Sequence, residues 1–464
     1  MKKLLFTSAL IIVSAQLFAQ KKSSPGTTSE VRPLLNTAGW DSKNGELKFG
    51  DHNGVQAMEL TSGGQLVTAK NLVFSDGTIE FDMEFMGGFT GFYFRRESDE
   101  ESEFFYLRDR AGDPNKMDAV QYAPIIKGVN MWDMLPDFQT AAFFNKGEWT
   151  HIKLVVSGNQ MLVYVNNKTR PTLQIPRLEG NPKQGGIAFT GRCFVSNVVV
   201  KHHEVEGLSP VEGFDPIYHD IRFIRNWQVT QPIPFPKGQE LFNDNLPDIN
   251  ATWQKLSAER RGIVNVTRLY GNSNNSRRLV WLRKAVTVKE NKKVKVDLGF
   301  SDEIWVFANS KLAYADKNLY TQDMRKKPDG RLSIENGSFE LSLIAGENDL
   351  LIGLANDFYG WGLIARFDNL DGIELSDYKP EVISKDLEPY FGLYSSKAMP
   401  VKIKISQNKG KLSAQPSGQG LLLMESSGKD VFTYNQFGIT LQFVPAEKKM
   451  LLKDGEDTTE FFRE

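Results

Sequence analysis

The sequence is poor in cysteine and in long apolar runs. Its 464 residues contain one cysteine, Cys193, so no disulfide can form within the chain. Cys193 lies in the apolar run GIAFTGRCFVSNVVV, which predicts a buried filler and not a nucleophile. Beyond the first residues, no apolar stretch is long enough to span a membrane. The sequence therefore predicts a chain with neither a disulfide framework nor a transmembrane segment.

Clustered positive charge is also missing. The chain carries 56 Lys and Arg against 57 Asp and Glu, and no extended basic run occurs. Nucleic acid and anionic membrane surfaces are bound through clustered basic residues. Both are therefore poor candidate partners.

Several catalytic signatures do not occur in the sequence. There is no G-x-S-x-G elbow, no S-x-x-K followed by K-T-G, no H-E-x-x-H and no glycine-rich phosphate loop. The five histidines lack metal-ligand spacing, and no cofactor is indicated.

Two oxygen-rich segments, DRAGDPNKMD (109–118) and NDNLPD (243–248), are candidate structural calcium sites, although neither follows the EF-hand loop pattern.

The first residues have the composition of an export signal. Lys2 and Lys3 precede the apolar run LLFTSALIIVSA, and Ala19 is the small residue expected at the cleavage site. We predict a signal peptide over residues 1–19 and a flexible, polar tether over residues 20–30. A large exported chain without disulfides suits a bacterial envelope, so the expected location is periplasmic or extracellular.

Short segments of alternating hydrophobicity fill the rest of the chain. Examples are TIEFDMEF, HIKLVV, VKVDLGF and EIWVFAN, whereas strong helical periodicity is hard to find. This pattern predicts an all-β fold of sandwiches or barrels. Segments rich in proline, glycine and acids at 202–216 and 376–389 divide it into three predicted units, 31–205, 216–378 and 385–464.

A row of carboxylates occurs in GTIEFDMEFMGG. Glu80, Asp82 and Glu84 share one face of a strand, because residues two apart in a strand point the same way. A retaining glycosidase needs two carboxyls about 5 to 5.5 Å apart, whereas residues i and i+4 of a strand lie about 13 Å apart at Cα. We favour a solvated strand face; catalysis by this row is the alternative hypothesis.

The first unit resembles the concanavalin A-like sandwiches, which include laminin-G-like modules and family 16 glycoside hydrolases. The matching pieces within 33–203 are GTIEFDMEF, GFTGFYFRR, DAVQY, GEWTHIKLVVSGNQMLVYVNN and GGIAFTGRCFVSNVVV. In the family 16 enzymes, the catalytic E-x-D-x-E strand follows an aromatic strand. Here that place is taken by FFYLRDRAGDPNKMDAVQY, which carries Arg108, Asp109 and Asp113 but no such motif. The resemblance thus implies a sandwich that binds sugar without cutting it.

Aromatic and polar side chains alternate in the same unit. Sugars are recognised by aromatic faces together with polar groups that bind hydroxyls. Phe104 and Phe105 are expected in the core. The candidate ligand-binding residues of the first unit are Tyr93, Arg95, Tyr106, Arg108, Gln121, Tyr122 and Trp132.

The second unit resembles the galactose-binding-like jelly rolls that accompany many glycoside hydrolases. The resemblance is carried over 260–375 by WLRK, VKVDLGF, WVFANSK and LIAGENDLLIGLAN. Such domains sometimes bind sugar with the loops of one rim, and sometimes only pack against a neighbour. The resemblance implies the rim candidates Asn356, Asp357, Tyr359, Trp361 and Arg366.

The third unit resembles a small β-domain often appended to exported serine-β-lactamase-like proteins. The signs are the pair Tyr390 and Tyr394, a strand ending in GKL and the final FFRE. A β-meander or small barrel is expected, with no chemistry assigned.

Three functions remain open from the sequence. The first is an exported, non-catalytic, carbohydrate-binding protein of a bacterial envelope. The second is a glycoside hydrolase, family 16-like or related to the keto-disaccharide hydrolases, acting through Glu80, Asp82 and Glu84. The third is a structural module that binds other proteins.

Overall fold

The computed structural model describes residues 29–464 except 110–116, 167–168, 214, 216, 218–219, 249–250, 272–275, 321–322, 377–383, 409, 418, 420 and 436. The predicted signal peptide (1–19) and most of the predicted tether lie outside the described residues. Ser29 and Glu30, placed by the sequence in the tether, instead belong to a strand. They pair in antiparallel register with His202 and Lys201.

The first unit is built from strands that alternate core-facing and outward-facing side chains. Their bounds are β1 Ser29–Val31, β2 Trp40–Lys43, β3 Leu47–His52, β4 Val55–Leu60, β5 Leu66–Ala69, β6 Gly77–Phe85, β7 Phe89–Arg96, β8 Glu101–Arg108, β9 Val120–Tyr122, β10 Ile125–Ile126, β11 Val129–Asn130, β12 Gln139–Thr140, β13 Trp149–Ser157, β14 Gln160–Val165, β15 Leu173–Ile175, β16 Gly186–Thr190 and β17 Cys193–His202.

Two sheets form a sandwich from these strands. Sheet I has the order β15-β14-β13-β6-β17-β4-β3, with β1 on β17. Sheet II has the order β11-β10-β8-β7-β16-β5-β2, with β9 on β8 and β12 on β9. The sheets enclose one apolar core in which Phe81 of β6 contacts Phe92 of β7 and Phe189 of β16, at ring-centroid distances of 5.0 Å. Cys193 is buried there, as predicted.

The second unit consists of two further sheets. Its elements are β18 Asn226–Thr230, β19 Ile233–Pro234, β20 Trp253–Ser257, β21 Ile263–Asn265, α1 Thr267–Tyr270, β22 Arg278–Val288, β23 Lys292–Ser301, β24 Glu303–Ala308, β25 Lys311–Lys317, β26 Gly337–Leu343, β27 Gly346–Asn356, β28 Gly362–Phe367 and β29 Ile373–Ser376, with 3-10 turns at Asn243–Asn245 and Arg260–Gly262. Sheet III runs β20-β18-β22-β27-β24-β25, with β19 and β29 on β22, and sheet IV runs β21-β28-β23-β26.

The third unit is a meander. Its strands are β30 Gly392–Ser395, β31 Ile403–Asn408, β32 Lys411–Pro416, β33 Leu422–Leu423, β34 Glu425–Gly428, β35 Val431–Tyr434, β36 Ile439–Val444, β37 Lys449–Asp454 and β38 Asp457–Arg463, with 3-10 turns at Glu388–Tyr390 and Pro445–Glu447. Sheet V runs β33-β32-β31-β30-β38-β37-β36-β35-β34. Because only Met424 separates the two edge strands, the sheet curls back on itself.

The predicted all-β fold class is therefore confirmed. The one α-helix among the described residues is the single turn Thr267–Tyr270, and no helix there is long and apolar enough to cross a membrane. The apolar core of the sandwich continues into the second unit through Phe223, Ile263, Leu332 and Ile364. The first two units therefore pack tightly against each other, and this contact positions the candidate site.

Candidate functional site

The outer face of sheet II brings together most of the candidate residues of the first unit. Strand alternation turns Phe105 and Leu107 of β8 into the core, so Phe104, Tyr106 and Arg108 face outward. Phe104 was expected in the core, but it is buried on this outer face, where it stacks on Tyr93 at 4.1 Å. Tyr106 and Arg108 thus share the outer face of β8, and their role as ligand-binding residues stays a prediction.

Arg108 is the centre of a hydrogen-bonded cluster on this face. Its Nη2 donates to Gln121 Oε1 at 2.7 Å and to Tyr106 Oη at 3.1 Å, and its Nη1 donates to Asp118 Oδ2 at 3.1 Å. The Tyr106 hydroxyl donates to Gln121 Oε1 at 2.8 Å. Gln121 Nε2 donates to the carbonyl of Trp132 at 3.1 Å. Burial raises the pKa of Tyr106, so its hydroxyl remains a donor.

Aromatic and cationic side chains from both of the first two units cover this cluster. The ring of Trp132 lies 5.7 Å from the Arg108 guanidinium and 5.1 Å from that of Arg331. The Trp132 ring also contacts Tyr320 at 4.9 Å and Tyr359 at 5.8 Å, both edge-on. The first unit therefore does not present an open groove at Arg108. Its aromatic surface continues through Trp132 to the loop after β27.

That loop lines a cleft of about 910 Å³ between the first two units. Gly128, in the turn between β10 and β11, is the contribution of the first unit. The lining residues are Gly128, Pro234, Phe235, Pro236, Lys237, Ser276, Arg277, Asn356, Asp357, Phe358 and Tyr359. Three rim candidates from the sequence, Asn356, Asp357 and Tyr359, are among them.

Aromatic rings and charged groups are mixed in this cleft. The Tyr359 side chain is 43% exposed, and its ring packs edge-on against Phe358 at 4.6 Å. Lys237 Nζ lies 3.7 Å from Asp357 Oδ1. The Arg277 guanidinium lies 4.4 Å from the ring centre of Phe235 and is paired with Glu303. An exposed ring beside donors and acceptors is the arrangement by which proteins bind sugars.

Two candidates of the first unit lie outside both the cluster and the cleft. Arg95 has a positive φ of 47°, which turns its side chain away from its neighbours on β7. It is buried, and it donates to Ser75 O at 2.7 Å and to Gly158 O at 2.9 Å. Tyr122 points into the core because it follows outward-facing Gln121, and its hydroxyl donates to Glu103 Oε2 at 2.6 Å. Both side chains hold the sandwich together.

Two rim candidates of the second unit are likewise absent from the cleft lining. Trp361 is fully buried in the core of that unit, where Arg278 lies 5.1 Å from its ring centre. Arg366 lies on β28 and donates to Asp297 Oδ2 at 2.9 Å, near Phe223. The rim hypothesis treated ANDFYGWGLIARF as one loop, but β28 begins at Gly362, so its second half returns into a sheet.

The carboxylate row lies on the opposite side of the sandwich. Glu80, Asp82 and Glu84 occupy the outer face of sheet I, while the Arg108 cluster occupies the outer face of sheet II. The apolar core between the two sheets separates them. The row and the aromatic cluster therefore cannot act on the same bond.

Each carboxylate of the row has a partner. Glu80 Oε1 accepts from Lys201 Nζ at 2.9 Å, and Asp82 Oδ2 accepts from Asn197 Nδ2 at 2.6 Å. His151 lies between the two acids, with Nδ1 2.7 Å from Asp82 Oδ1 and Nε2 3.6 Å from Glu80 Oε2. The face is thus densely paired.

Glu84 differs from the solvated face that the sequence suggested. It is 4% exposed, and its Oε2 lies 2.9 Å from His52 Nε2. The His52 ring stacks on Phe194 at 3.6 Å and meets Trp149 edge-on at 5.9 Å. The rings of Phe194 and Trp149, on the two strands that flank β6, cover the Glu84 carboxyl.

Both calcium hypotheses stay predictions. Residues 110–116 of the first candidate segment lie outside the described residues. Within the described part of the chain, no group of three or more His, Cys, Asp or Glu side chains is placed to hold a metal ion. The second segment forms the 3-10 turn Asn243–Asn245, whose end residue hydrogen-bonds Phe242 N through Asn245 Oδ1 at 2.9 Å.

Sequence reasoning missed several residues of the two sites. Phe89 lies 5.4 Å from Arg108, and Asp118 and Arg331 complete the charges around it. Lys237 and Arg277 line the cleft from segments that carried no motif. Alternation along β7 could have identified Phe89, but the others depend on contacts between distant segments.

Residues 31–201 match the family model of the 3-keto-alpha-glucoside-1,2-lyase-like domain. The match covers the first unit only. No curated protein matches the chain.

Solved structures of carbohydrate-related proteins are similar to a part of the chain. The carbohydrate-binding module CBM66 from Bacillus subtilis is 16% identical, with 35% of this chain and 95% of that one covered and a TM-score of 0.27. A lichenase from a mouse hindgut metagenome is 9% identical, with 38% and 99% covered and a TM-score of 0.28. Domain 4 of an extracellular arabinanase from Geobacillus stearothermophilus is 12% identical, with 38% and 82% covered and a TM-score of 0.24.

Proposed function

We propose that this protein binds carbohydrate in the cleft between its first and second units. The supporting observation is that Tyr359 presents a partly exposed ring in a cleft of about 910 Å³ that also contains Asn356, Asp357 and Lys237. Pockets of this order of size bind ligands largely through ring contacts, with a few polar groups that fix orientation. The match of residues 31–201 to a family named for a glucoside is consistent with a saccharide ligand.

Binding without bond cleavage is the form of the proposal that the geometry favours. Among the described residues that line the cleft, Asp357 is the one carboxylate, so these residues do not assemble the pair of acids used by most glycosidases. The N-terminal sequence supports action outside the cytoplasm at a bacterial envelope. No nucleic acid partner and no cofactor are proposed.

A glycan array tests this proposal. The chain beginning at Gln20 is expected to retain one class of saccharide, and Tyr359→Ala is expected to lose at least tenfold in affinity, because burying a ring against a ligand contributes about 1.5 kcal/mol or more and tenfold corresponds to about 1.4 kcal/mol. Tyr434→Ala, which changes a half-buried tyrosine of the third unit, is the matched control and should bind as the original chain does. A silent array, with envelope proteins co-purifying instead, would favour the protein-binding hypothesis.

A second candidate function follows from the family match together with the carboxylate row. A 1,2-lyase acting on a 3-keto-glucoside removes the proton at C2, next to the ketone, and breaks the C1–O bond, and the departing oxygen takes up a proton. The Asp82–His151 pair, with Glu80 3.6 Å from the second ring nitrogen, is a suitable base. In this case the first sandwich would be an enzyme whose site lies on sheet I.

The two functions differ in a spectroscopic result. Elimination leaves a C1=C2 double bond conjugated with the C3 ketone, so turnover of a 3-keto-α-glucoside produces ultraviolet absorbance. We expect no such increase above buffer. An increase that disappears in Asp82→Asn and persists in Tyr359→Ala would establish the lyase and refute binding without turnover.

A further inference from the structure

The cleft loop, Asp357–Gly360, is attached at both ends to buried carboxyls. At its start, Asp302 Oδ2 accepts from the backbone N–H of Asp357 at 2.5 Å and from that of Phe358 at 2.7 Å. At its end, Asp133 Oδ2 accepts from the backbone N–H of Gly360 at 3.0 Å. Both carboxylic acids are at most 2% exposed. The short loop is thus fixed through its backbone, and Asp357, Phe358 and Tyr359 line the cleft.

The two anchors come from different units. Asp302 is the single residue between β23 and β24 of the second unit, and the Ser301 hydroxyl beside it lies 3.2 Å from the carbonyl of Gly360. Asp133 belongs to the first unit, and its own carbonyl accepts from Leu332 N at 2.8 Å. The first unit therefore holds the far end of a loop that belongs to the second.

The contact at Gly360 leaves no room for a side chain. A Cβ on Gly360 would lie 2.3 Å from Met134 Cγ and 2.6 Å from Asp133 Oδ1. The preceding residue, Tyr359, has a φ of 55°, a left-handed conformation that non-glycine residues rarely adopt. Such a conformation persists only where the surroundings impose it, and here the anchored ends impose it.

We propose that Asp133 and Asp302 are positioning residues for the carbohydrate cleft, so that ligand binding by the second unit depends on its contact with the first. The inference rests on the proposed function for its consequence, but the loop contacts themselves are independent of any ligand. Asp133 does not line the cleft, so it acts through the backbone that carries Tyr359.

Hydrogen exchange tests the positioning role without a ligand. In Asp133→Ala, the amide of Gly360 loses its acceptor, and exchange of a peptide covering 356–361 is expected to quicken at least tenfold. Asp133→Asn keeps a carbonyl oxygen at this position and should restore most of the protection. Met83→Ala, in the core of the sandwich and away from the loop, controls for a general loss of stability.

Saccharide affinity is the second readout. Asp133→Ala is expected to weaken binding about tenfold, Asp133→Asn much less, and Met83→Ala not at all at temperatures where it stays folded. Unchanged exchange over 356–361 in Asp133→Ala would overturn the inference. Faster exchange in a chain that binds no saccharide would uphold the loop anchoring while refuting the proposed function.

Discussion

Replacing Arg260 with methionine is expected to lower the free energy of unfolding by about 3 kcal/mol, because breaking the buried ion pair leaves Glu179 with the more distant guanidinium groups of Arg177 (3.7 Å) and Arg268 (4.0 Å). Arg260 and Glu179 form a hydrogen-bonded ion pair in which both side chains are 3% exposed. Arg260 Nη1 also lies 3.2 Å from Asp215 Oδ2, and its guanidinium lies 4.6 Å from the ring centre of Phe138. The pair joins the second unit to the first.

Urea unfolding of single and double variants checks this prediction. Glu179→Gln alone should also destabilise, whereas adding it to Arg260→Met should cost less than the sum of the two single effects. Lys411→Met breaks the exposed pair with Glu425 and should change stability little. Strictly additive effects of Arg260 and Glu179 would show that the pair does not join the units energetically.

The free energy of unfolding of the original chain is expected to fall by about 3 kcal/mol as pH rises, and replacing Glu103 with glutamine is expected to abolish this fall. Burial in the sandwich raises the pKa of Glu103 from 4.5 to about 7. Between these values the folded protein holds a proton that the unfolded chain has released. The free energy of unfolding therefore falls as pH rises from about 4.5 to about 7, and glutamine cannot contribute to this fall.

The measurement is urea unfolding of the original chain and of Glu103→Gln at pH 4.5 and at pH 8. The difference in free energy of unfolding between the two proteins is then compared at the two pH values. Tyr122→Phe provides a second test, because the Tyr122 hydroxyl donates to Glu103 Oε2 and lowers the pKa of that carboxyl. Its loss should extend the fall in stability to higher pH. A stability difference between the original chain and Glu103→Gln that is the same at both pH values would refute the assignment.

Local periodicity explains what could be predicted from the sequence. Alternation placed Ile79 and Phe81 in the core and Glu80 outside, and it put Tyr106 and Arg108 on one face of their strand. Such patterns depend only on the two-residue repeat of a strand. The all-β fold and the sides of its strands were accessible for this reason.

Contacts between distant segments explain what was missed. Trp361 lies three residues from the cleft residue Phe358, yet it is buried, because β28 enters a sheet just beyond it. The side chain of Arg95 leaves the face of its strand because its φ is positive, and nothing in the sequence predicts this φ. The closure of the Arg108 face by Trp132, Tyr320 and Arg331 depends on how two units pack, and such packing leaves no periodic trace in a sequence.

The most direct test of the carbohydrate cleft is a calorimetric titration of the saccharide selected by the array into the original chain, Tyr359→Ala and Glu80→Gln. We predict saturable binding to the original chain, at least tenfold weaker binding to Tyr359→Ala and unchanged binding to Glu80→Gln, on the far side of the sandwich. Equal affinity of Tyr359→Ala and the original chain, with binding lost in Glu80→Gln, would contradict the proposal and move the site to sheet I.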